Sequence, residues 1–179
     1  MKILIRALMP TLLMCLLAST SVLAQDNAAK APTPPPEAKK ALAKLKTLEG
    51  SWHGTVMDIP IHFSIRAASS GTAVLHEANT SKEGPPKQEI TMFYLEGDRL
   101  LATHYCDAGN RSRWEGKISP DEKAIEFSFL DVTGSTRGGY LKDMVITLID
   151  ADNHIVGFTF VMPDGKPLKF RGEFQRTKG

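Results

Sequence analysis

The residues best suited to chemistry lie in one short segment, residues 103–113, which reads Thr-His-Tyr-Cys-Asp-Ala-Gly-Asn-Arg-Ser-Arg. His104 and Cys106 stand two positions apart, so in a β-strand their side chains point to the same face. Asn110 and Arg113 follow a short turn and begin the returning strand. An imidazole, a thiol, an amide and a guanidinium could therefore converge on one polar group of a ligand. With two residues from the preceding strands, the candidate ligand-binding residues are His76, Tyr94, His104, Cys106, Asn110 and Arg113.

Four interpretations of this segment stay open. The residues could be structural, with His104 bonded to a carbonyl group, Cys106 packed in the core and Arg113 paired with Asp107 or Glu115. They could instead form a polar cluster in a pocket. A metal or heme site is the third interpretation: a soft His-x-Cys pair suits Cu or Zn, although no third ligand is evident at motif spacing. A catalytic thiol–imidazole pair of a small hydrolase or isomerase is disfavoured, because side chains two apart on a strand lie roughly parallel and no orienting acid is marked.

The elements that must position these residues are β-strands. From Ser51 onward apolar and polar residues alternate with a period of two, which is typical of antiparallel sheet with one buried face. Short turns make consecutive strands antiparallel neighbours, and closure into a barrel removes exposed edges. The sequence thus predicts an all-β, roughly ten-stranded up-and-down barrel, with a two-sheet sandwich as the alternative. The predicted strands are 52–58, 61–67, 72–79, 88–96, 99–106, 112–118, 123–132, 140–149, 154–162 and 166–176.

The connections predict which end of such a barrel is open. In an up-and-down barrel they alternate between the two ends, and those at one end are all short. At the other end the loops 80–87, 107–111 and 133–139 are longer and richer in Gly, Pro and Ser. Binding residues are often carried on loops of this kind, so we expect a pocket that opens there.

The segment before the barrel divides into three parts. Residues 1–24 have a basic start, an apolar stretch and a small-residue cleavage site near Ala24, which predicts a signal peptide and export to the periplasm or the exterior. Residues 25–36 are rich in Pro and Ala and predict a disordered tether. Residues 37–49 carry leucines at spacings of three and predict a short amphipathic helix, followed by the barrel domain at 50–179.

Composition limits the partners. The chain has 22 basic and 20 acidic residues, and the predicted signal holds two of the basic ones, which leaves the mature part formally neutral. This balance disfavours nucleic acid as a partner, and no membrane span is expected after cleavage. Cys106 is the one cysteine left in the mature part, so no internal disulfide is expected. Nothing in the composition indicates an oligomeric state.

The start of the strand pattern resembles that of lipocalins and their calycin relatives. Gly50-Ser51-Trp52 is similar to their Gly-x-Trp motif, in which the Trp plugs the closed end of the barrel beneath a basic residue of the last strand. The resemblance implies that Gly50, Trp52 and Arg176 form the structural closure of the barrel. Arg171 is the weaker candidate for the basic residue.

Residues 90–116 resemble a family of uncharacterised, often exported bacterial lipocalin-like proteins. The matching positions are Met92, Gly97, Asp98, Leu100, Thr103, His104, Tyr105, Cys106, Gly109, Asn110 and Arg113. The chain departs from the family at Arg111-Ser112, where Gln-Pro is common, and at Tyr140-Leu141-Lys142, where histidines are frequent. Related barrels of the nitrobindin type bind heme through a histidine near the C-terminus, and no histidine follows His154 here.

These observations together predict a binding protein for a small, partly apolar ligand. Cofactors are not expected, with heme or a metal ion as the exception that the His-x-Cys pair leaves open. A small hydrolase or isomerase and a protein-interaction module are the alternatives. The remaining histidines, His53, His62 and His154, are expected at the surface or in turns.

Overall fold

The computed structural model describes residues 36–80 and 87–178. The predicted signal peptide, nearly all of the tether and most of the loop 80–87 lie outside the described residues. Within the described part, no helix has the length and apolar character needed to cross a membrane.

A short helix, α1 (Pro36–Thr47), precedes the barrel. It begins with a proline, whose fixed φ and missing N–H suit the first turn of a helix. Leu42, Leu45 and Leu48 are 5%, 1% and 1% exposed, so the apolar side of the segment is buried. An ion pair between Lys40 and Glu122, at 2.8 Å, joins the helix to a short turn of the barrel. The helix therefore packs at the end of the barrel that carries the short turns.

The ten strands form one closed antiparallel barrel, in which each strand pairs with its neighbours in sequence and the last strand pairs with the first. This confirms the predicted fold class and excludes the sandwich. Strand ends differ from the prediction by up to about two residues. The strands are β1 (Gly50–Val56), β2 (Ile59–Ala68), β3 (Ala73–Thr80), β4 (Lys87–Glu96), β5 (Arg99–Tyr105), β6 (Asn110–Ile118), β7 (Ala124–Gly134), β8 (Tyr140–Leu148), β9 (Asn153–Val161) and β10 (Pro167–Arg176).

The short-turn end of the barrel is closed by a stack of two side chains. Trp52 is 1% exposed and donates from Nε1 to the Leu48 carbonyl at 2.8 Å. The Arg176 guanidinium lies 4.3 Å from the centroid of the Trp52 ring. Gly50 has φ +137°, and a Cβ atom there would lie 2.7 Å from Nη1 of Arg176, so a larger residue would displace the cation. The three residues that the lipocalin resemblance selected thus meet at this end.

One part of the barrel wall is weakly paired. β7 pairs with β8 through Ala124–Phe127 against Met144–Thr147, and this ladder does not extend toward the mouth. There the Asp143 carboxylate of β8 accepts from the Phe129 N–H of β7 at 3.2 Å, and Trp114 Nε1 of β6 donates to the Lys142 carbonyl of β8 at 2.8 Å. We call this region the β7–β8 seam.

Candidate functional site

A cavity of about 80 Å³ lies inside the barrel. Most of its lining is apolar, as expected for the inner face of alternating strands. A minority of the lining is polar: His76, Glu89, Thr91, His104 and His154. A few polar groups in an otherwise apolar lining are the usual means by which a pocket orients a ligand.

A second space of about 270 Å³ lies at the loop-bearing end, and we call it the mouth. Phe158, Phe160 and Phe170 supply much of its surface, and Glu89 and Cys106 supply its polar groups. Glu89 and Phe158 line both the mouth and the inner cavity, so the two spaces adjoin.

Strand register brings several polar residues to one level of the lumen. His76 is opposite Thr91, Thr91 is opposite His104, and His104 is opposite Ser112, across β3 to β6. Residues directly opposite in adjacent strands lie on the same face of the sheet. We call His76, Thr91, His104 and Ser112 the polar row.

His104 occupies the centre of the site. Its ring is 5% exposed and stacks on Trp114, with centroids 5.6 Å apart. Nδ1 lies 2.9 Å from Thr91 Oγ1, whereas Nε2 is buried without a hydrogen-bond partner among the described residues. Burial lowers the pKa of His104 to about 4, because a charged ring would lose its hydration. The imidazole is therefore neutral at pH 7.

Cys106 and Glu89 adjoin His104 on the mouth side. The thiol lies 3.5 Å from Glu89 Oε1, and Glu89 Oε2 lies 3.9 Å from His104 Nε2. Burial raises the pKa of Cys106 to about 12, and the neighbouring carboxylates of Glu89 and Asp107 act in the same direction. Burial also raises the pKa of Glu89. Asp107 itself is held by Lys87 at 3.0 Å.

The other two lumen histidines are surrounded by aromatic rings. His76 lies 4.6 Å from Phe63, and burial lowers its pKa to about 3. His154 meets Trp52 edge-on at 4.2 Å, is 2% exposed, and has its pKa lowered by burial to about 4. The expectation that His154 is a surface or turn residue was wrong, because β9 already begins at Asn153 and turns residue 154 inward. His53 and His62 are exposed, as expected.

Two of the predicted ligand-binding residues lie on the outside of the barrel. Arg113 is opposite Thr103, one position out of phase with the inward pair His104 and Ser112, and it forms an ion pair with Asp131. Tyr94 shares this outer face, with its hydroxyl 3.3 Å from Thr103 Oγ1. The placement of Arg113 and Tyr94 in the pocket was therefore wrong, because alternation along their strands turns both outward.

The ion-pair partners proposed for Arg113 were also wrong. Asp131 takes the place of Asp107 and Glu115, since β7 rather than the turn lies beside Arg113. Glu115 pairs instead with Arg99, at 2.7 Å.

Asn110 points inward, but its side chain is hydrogen-bonded to a loop. Its Nδ2 donates to the carbonyls of Ser135 and Gly139, at 3.0 and 2.9 Å, so both amide hydrogens are taken. The residue is 1% exposed and is not among the lining residues of either space. Asn110 therefore joins the loops 107–111 and 133–139, in place of the ligand contact that the sequence suggested.

Sequence reasoning missed Glu89, Thr91, Ser112 and His154. Each could have been predicted, because residues two or four positions apart on a strand point to the same face. Glu89 and Thr91 share the inward face of Phe93 on β4. Ser112 shares that of Trp114 on β6, and His154 shares that of Val156 on β9. The motif drew attention to residues near His104 in the chain, whereas its neighbours in space come from other strands.

The lumen does not fit a heme bound through the last histidine of the chain. His154 is enclosed by the rings of Trp52, Phe63 and Phe174, at centroid distances of 4.2, 5.7 and 5.6 Å. These contacts leave no space for a macrocycle beside its imidazole. The donors that the described residues do bring together are one atom each from Glu89, His104 and Cys106, all within 4.8 Å of one another.

Three solved structures match the chain to different degrees. Rv2717c from M. tuberculosis matches with a TM-score of 0.59 and 14% identity over 82% of this chain and all of its own. A DUF3598-family protein of unknown function from Nostoc punctiforme matches at 0.49 and 13%, over 84% of this chain and 53% of its own. The S-type phycobiliprotein lyase CPES from Guillardia theta matches at 0.42 and 10%, over 82% and 99%.

At these identities the likeness to Rv2717c shows a shared fold and says nothing about activity. The fold class is that of a closed, ten-stranded antiparallel β-barrel. No family model matches the chain, and no curated protein matches it significantly.

Proposed function

We propose that this protein is an exported barrel that binds one small, partly apolar molecule through the mouth and the adjoining lumen cavity. The observation that carries the proposal is the lining itself, where the ring nitrogens His76 Nδ1, His104 Nε2 and His154 Nδ1 are buried without partners among the described residues. Buried polar atoms are costly unless they are hydrogen-bonded. A ligand that reaches them would supply the missing bonds.

The lining also indicates the charge of the ligand. Among the described residues that line the mouth and the inner cavity, none is a lysine or an arginine, and Glu89 is the one acidic residue. A carboxylate ligand would lose its hydration there without gaining a cation. The site therefore favours a neutral molecule with an apolar body for the mouth phenylalanines and a polar end for the polar row.

Exposed apolar side chains surround one side of the mouth. Met57, Met162 and Leu168 are 58%, 39% and 37% exposed, and they flank the two hairpins nearest the mouth phenylalanines. Exposed apolar side chains beside a pocket favour the entry of an apolar molecule. Export rests on the signal-like sequence of residues 1–24.

The hydrolase alternative is disfavoured by the state of the thiol. A nucleophilic cysteine needs a depressed pKa, and the pKa of Cys106 is raised to about 12. Its nearest hydrogen-bond acceptor is the Glu89 carboxylate rather than the imidazole of a base. A protein-interaction module would instead be revealed by a second chain that co-purifies with the protein.

A displacement experiment tests the proposed function. The chelator-treated, metal-free protein is equilibrated with a neutral fluorescent probe, and a long-chain alcohol and the fatty acid of equal length compete for it at pH 7.5. We expect the alcohol to displace the probe at concentrations at least about tenfold lower than the fatty acid. Native mass spectrometry of protein from its own source should show a small retained molecule.

Two variants locate the binding. Phe158→Ser in the wall between mouth and lumen should weaken probe binding by about tenfold or more, because it removes an aromatic surface of the site. Arg113→Ala, on the outer face, is the matched control and should leave binding unchanged. Equal loss in both variants, or no binding by the wild type, would contradict the proposal.

A further inference from the structure

We propose that Glu89, His104 and Cys106 form a binding site for one Zn²⁺ ion at the junction of the mouth and the lumen. This site goes beyond the proposed ligand binding, and it rests on the positions of donor atoms contributed by two adjacent strands and the turn that follows them. Glu89 is on β4, His104 is on β5, and Cys106 follows the end of β5.

The spacing of the donors is close to that of a tetrahedral zinc site. Zn–N and Zn–O bonds of about 2.0–2.2 Å and Zn–S bonds of about 2.3 Å place neighbouring donors about 3.3–3.8 Å apart. The Cys106 Sγ to Glu89 Oε1 distance is 3.5 Å, and the His104 Nε2 to Glu89 Oε2 distance is 3.9 Å. All three donors lie within 4.8 Å of one another, so small side-chain adjustments bring them to one ion.

His104 is already oriented for coordination. In the tautomer that donates from Nδ1 to Thr91 Oγ1, at 2.9 Å, Nε2 carries a lone pair, and this atom lies within 4.8 Å of one donor atom each of Glu89 and Cys106. Histidine ligands of zinc are commonly fixed through the second ring nitrogen in this way. Nε2 is buried and has no partner among the described residues, so an ion would satisfy an atom that the folded chain leaves without one.

Charge balance suits a partly buried ion. On binding, the Zn–S bond forms as the thiol proton of Cys106 leaves to solvent, and Glu89 binds as the carboxylate. One thiolate and one carboxylate neutralise the two positive charges of zinc, so no net charge is placed in the lumen. Three protein donors leave a fourth position free for water or a ligand atom, and the three donor residues line the two adjoining spaces.

Metal titration of the chelator-treated full chain tests the proposal. Zn²⁺ should bind at one equivalent per chain, and Co²⁺ should bind in its place with a thiolate-to-cobalt charge-transfer absorption. Cys106→Ser should abolish that absorption and weaken Zn²⁺ binding at least about 100-fold, and Glu89→Gln should weaken it at least about tenfold. Glu89→Gln retains size and supplies a second readout should Cys106→Ser fail to fold.

Two controls separate this site from others. His154→Phe removes a lumen histidine outside the cluster and should leave Zn²⁺ affinity unchanged. The exposed rings of His53 and His62, with centroids 6.5 Å apart, form a potential weak surface site for Zn²⁺. The double change H53A/H62A should therefore leave the binding of one tight Zn²⁺ per chain unchanged. The proposal is overturned if the wild type binds no equivalent of zinc, or if Cys106→Ser and Glu89→Gln bind it as tightly as the wild type.

Discussion

Arg176 of β10 lies over Trp52 of β1, and through this contact the last strand covers the first aromatic residue of the barrel. The guanidinium also donates to the carbonyls of Thr47, Glu49 and Ala151, which belong to the segments on either side of the closure. One side chain thus joins the segment after α1, the start of β1 and the β8–β9 turn. Its removal should therefore affect the whole fold.

We expect Arg176→Leu to lower the free energy of unfolding by about 2–4 kcal/mol, because the stack and several charge-assisted hydrogen bonds are lost together. Arg176→Lys keeps the charge without the planar fork and should fall between the wild type and Arg176→Leu. Urea unfolding followed by Trp fluorescence measures both. A change below about 0.5 kcal/mol in Arg176→Leu would show that the closure does not contribute to stability.

The three lumen histidines predict how stability depends on pH. The pKa values of His76, His104 and His154 in the folded protein are about 3, 4 and 4, all below the ordinary value of 6.5. At a pH between the folded and the ordinary values, the unfolded chain therefore binds more protons than the folded chain. Stability should be highest above pH 6.5 and should fall as the pH decreases from there. Each histidine contributes up to about 1.4 kcal/mol per pH unit to this slope.

His76→Leu removes the contribution of one histidine to the pH dependence of the free energy of unfolding. Urea unfolding of the metal-free protein at pH 7, 6 and 5 should show a shallower pH dependence for the variant, by up to about 1.4 kcal/mol per pH unit. The variant's absolute stability at pH 7 is a separate quantity and does not enter the comparison. Parallel slopes for variant and wild type would show that His76 is not held neutral by the fold.

Asn110 predicts a local effect at the mouth. Asn110→Asp keeps the size of the side chain but removes the two N–H donors, leaving the Ser135 and Gly139 carbonyls without them and facing a carboxylate. We expect a loss of about 2–4 kcal/mol and faster amide exchange in residues 135–139. Ser112→Ala on the same strand is the control, since Ser112 Oγ is buried without a partner among the described residues and its removal should be nearly neutral. Unchanged exchange in 135–139 would contradict this role.

Cys106 should react slowly with alkylating agents. With its pKa raised to about 12 by burial, the thiolate fraction at pH 7.5 is about a thousandfold below that of an ordinary cysteine. We expect native metal-free protein to react at least about 100-fold more slowly than a free thiol, and denatured protein to react at the ordinary rate. Fast labelling of the native protein would restore the catalytic thiol as an alternative.

Much of the architecture was predictable because it depends on local periodicity. Alternation identifies each strand, and short turns force neighbours to pair, so ten strands in series lead to closure without any long-range information. The assignment of side chains to the lumen needed one further quantity, the phase of each strand. Arg113 illustrates this: three positions from Asn110, it cannot share its face, although the motif suggested that the two act together.

The composition of the site depends on register between strands that are distant in sequence. His104 is next to Thr91 and Glu89 because β4 and β5 pair in one particular register, which the hairpin at Gly97-Asp98 determines. His154 was assigned to the surface because Asp152-Asn153 carries a turn signal, and strand β9 begins one residue earlier than that signal suggested. Errors of a single residue at strand ends decide which polar groups enter the lumen.

The β7–β8 seam gives the barrel an adjustable circumference near its mouth. A cylinder closed by continuous backbone ladders can widen there only by breaking a series of hydrogen bonds. At the seam, the bond from the Phe129 N–H to Asp143 joins β7 to β8, and the bond from Trp114 to the Lys142 carbonyl ties β8 to β6 instead. A ligand wider than the lumen of this structure can thus be accommodated by separating β7 from β8 near the mouth, while the diameter of the barrel elsewhere stays unchanged.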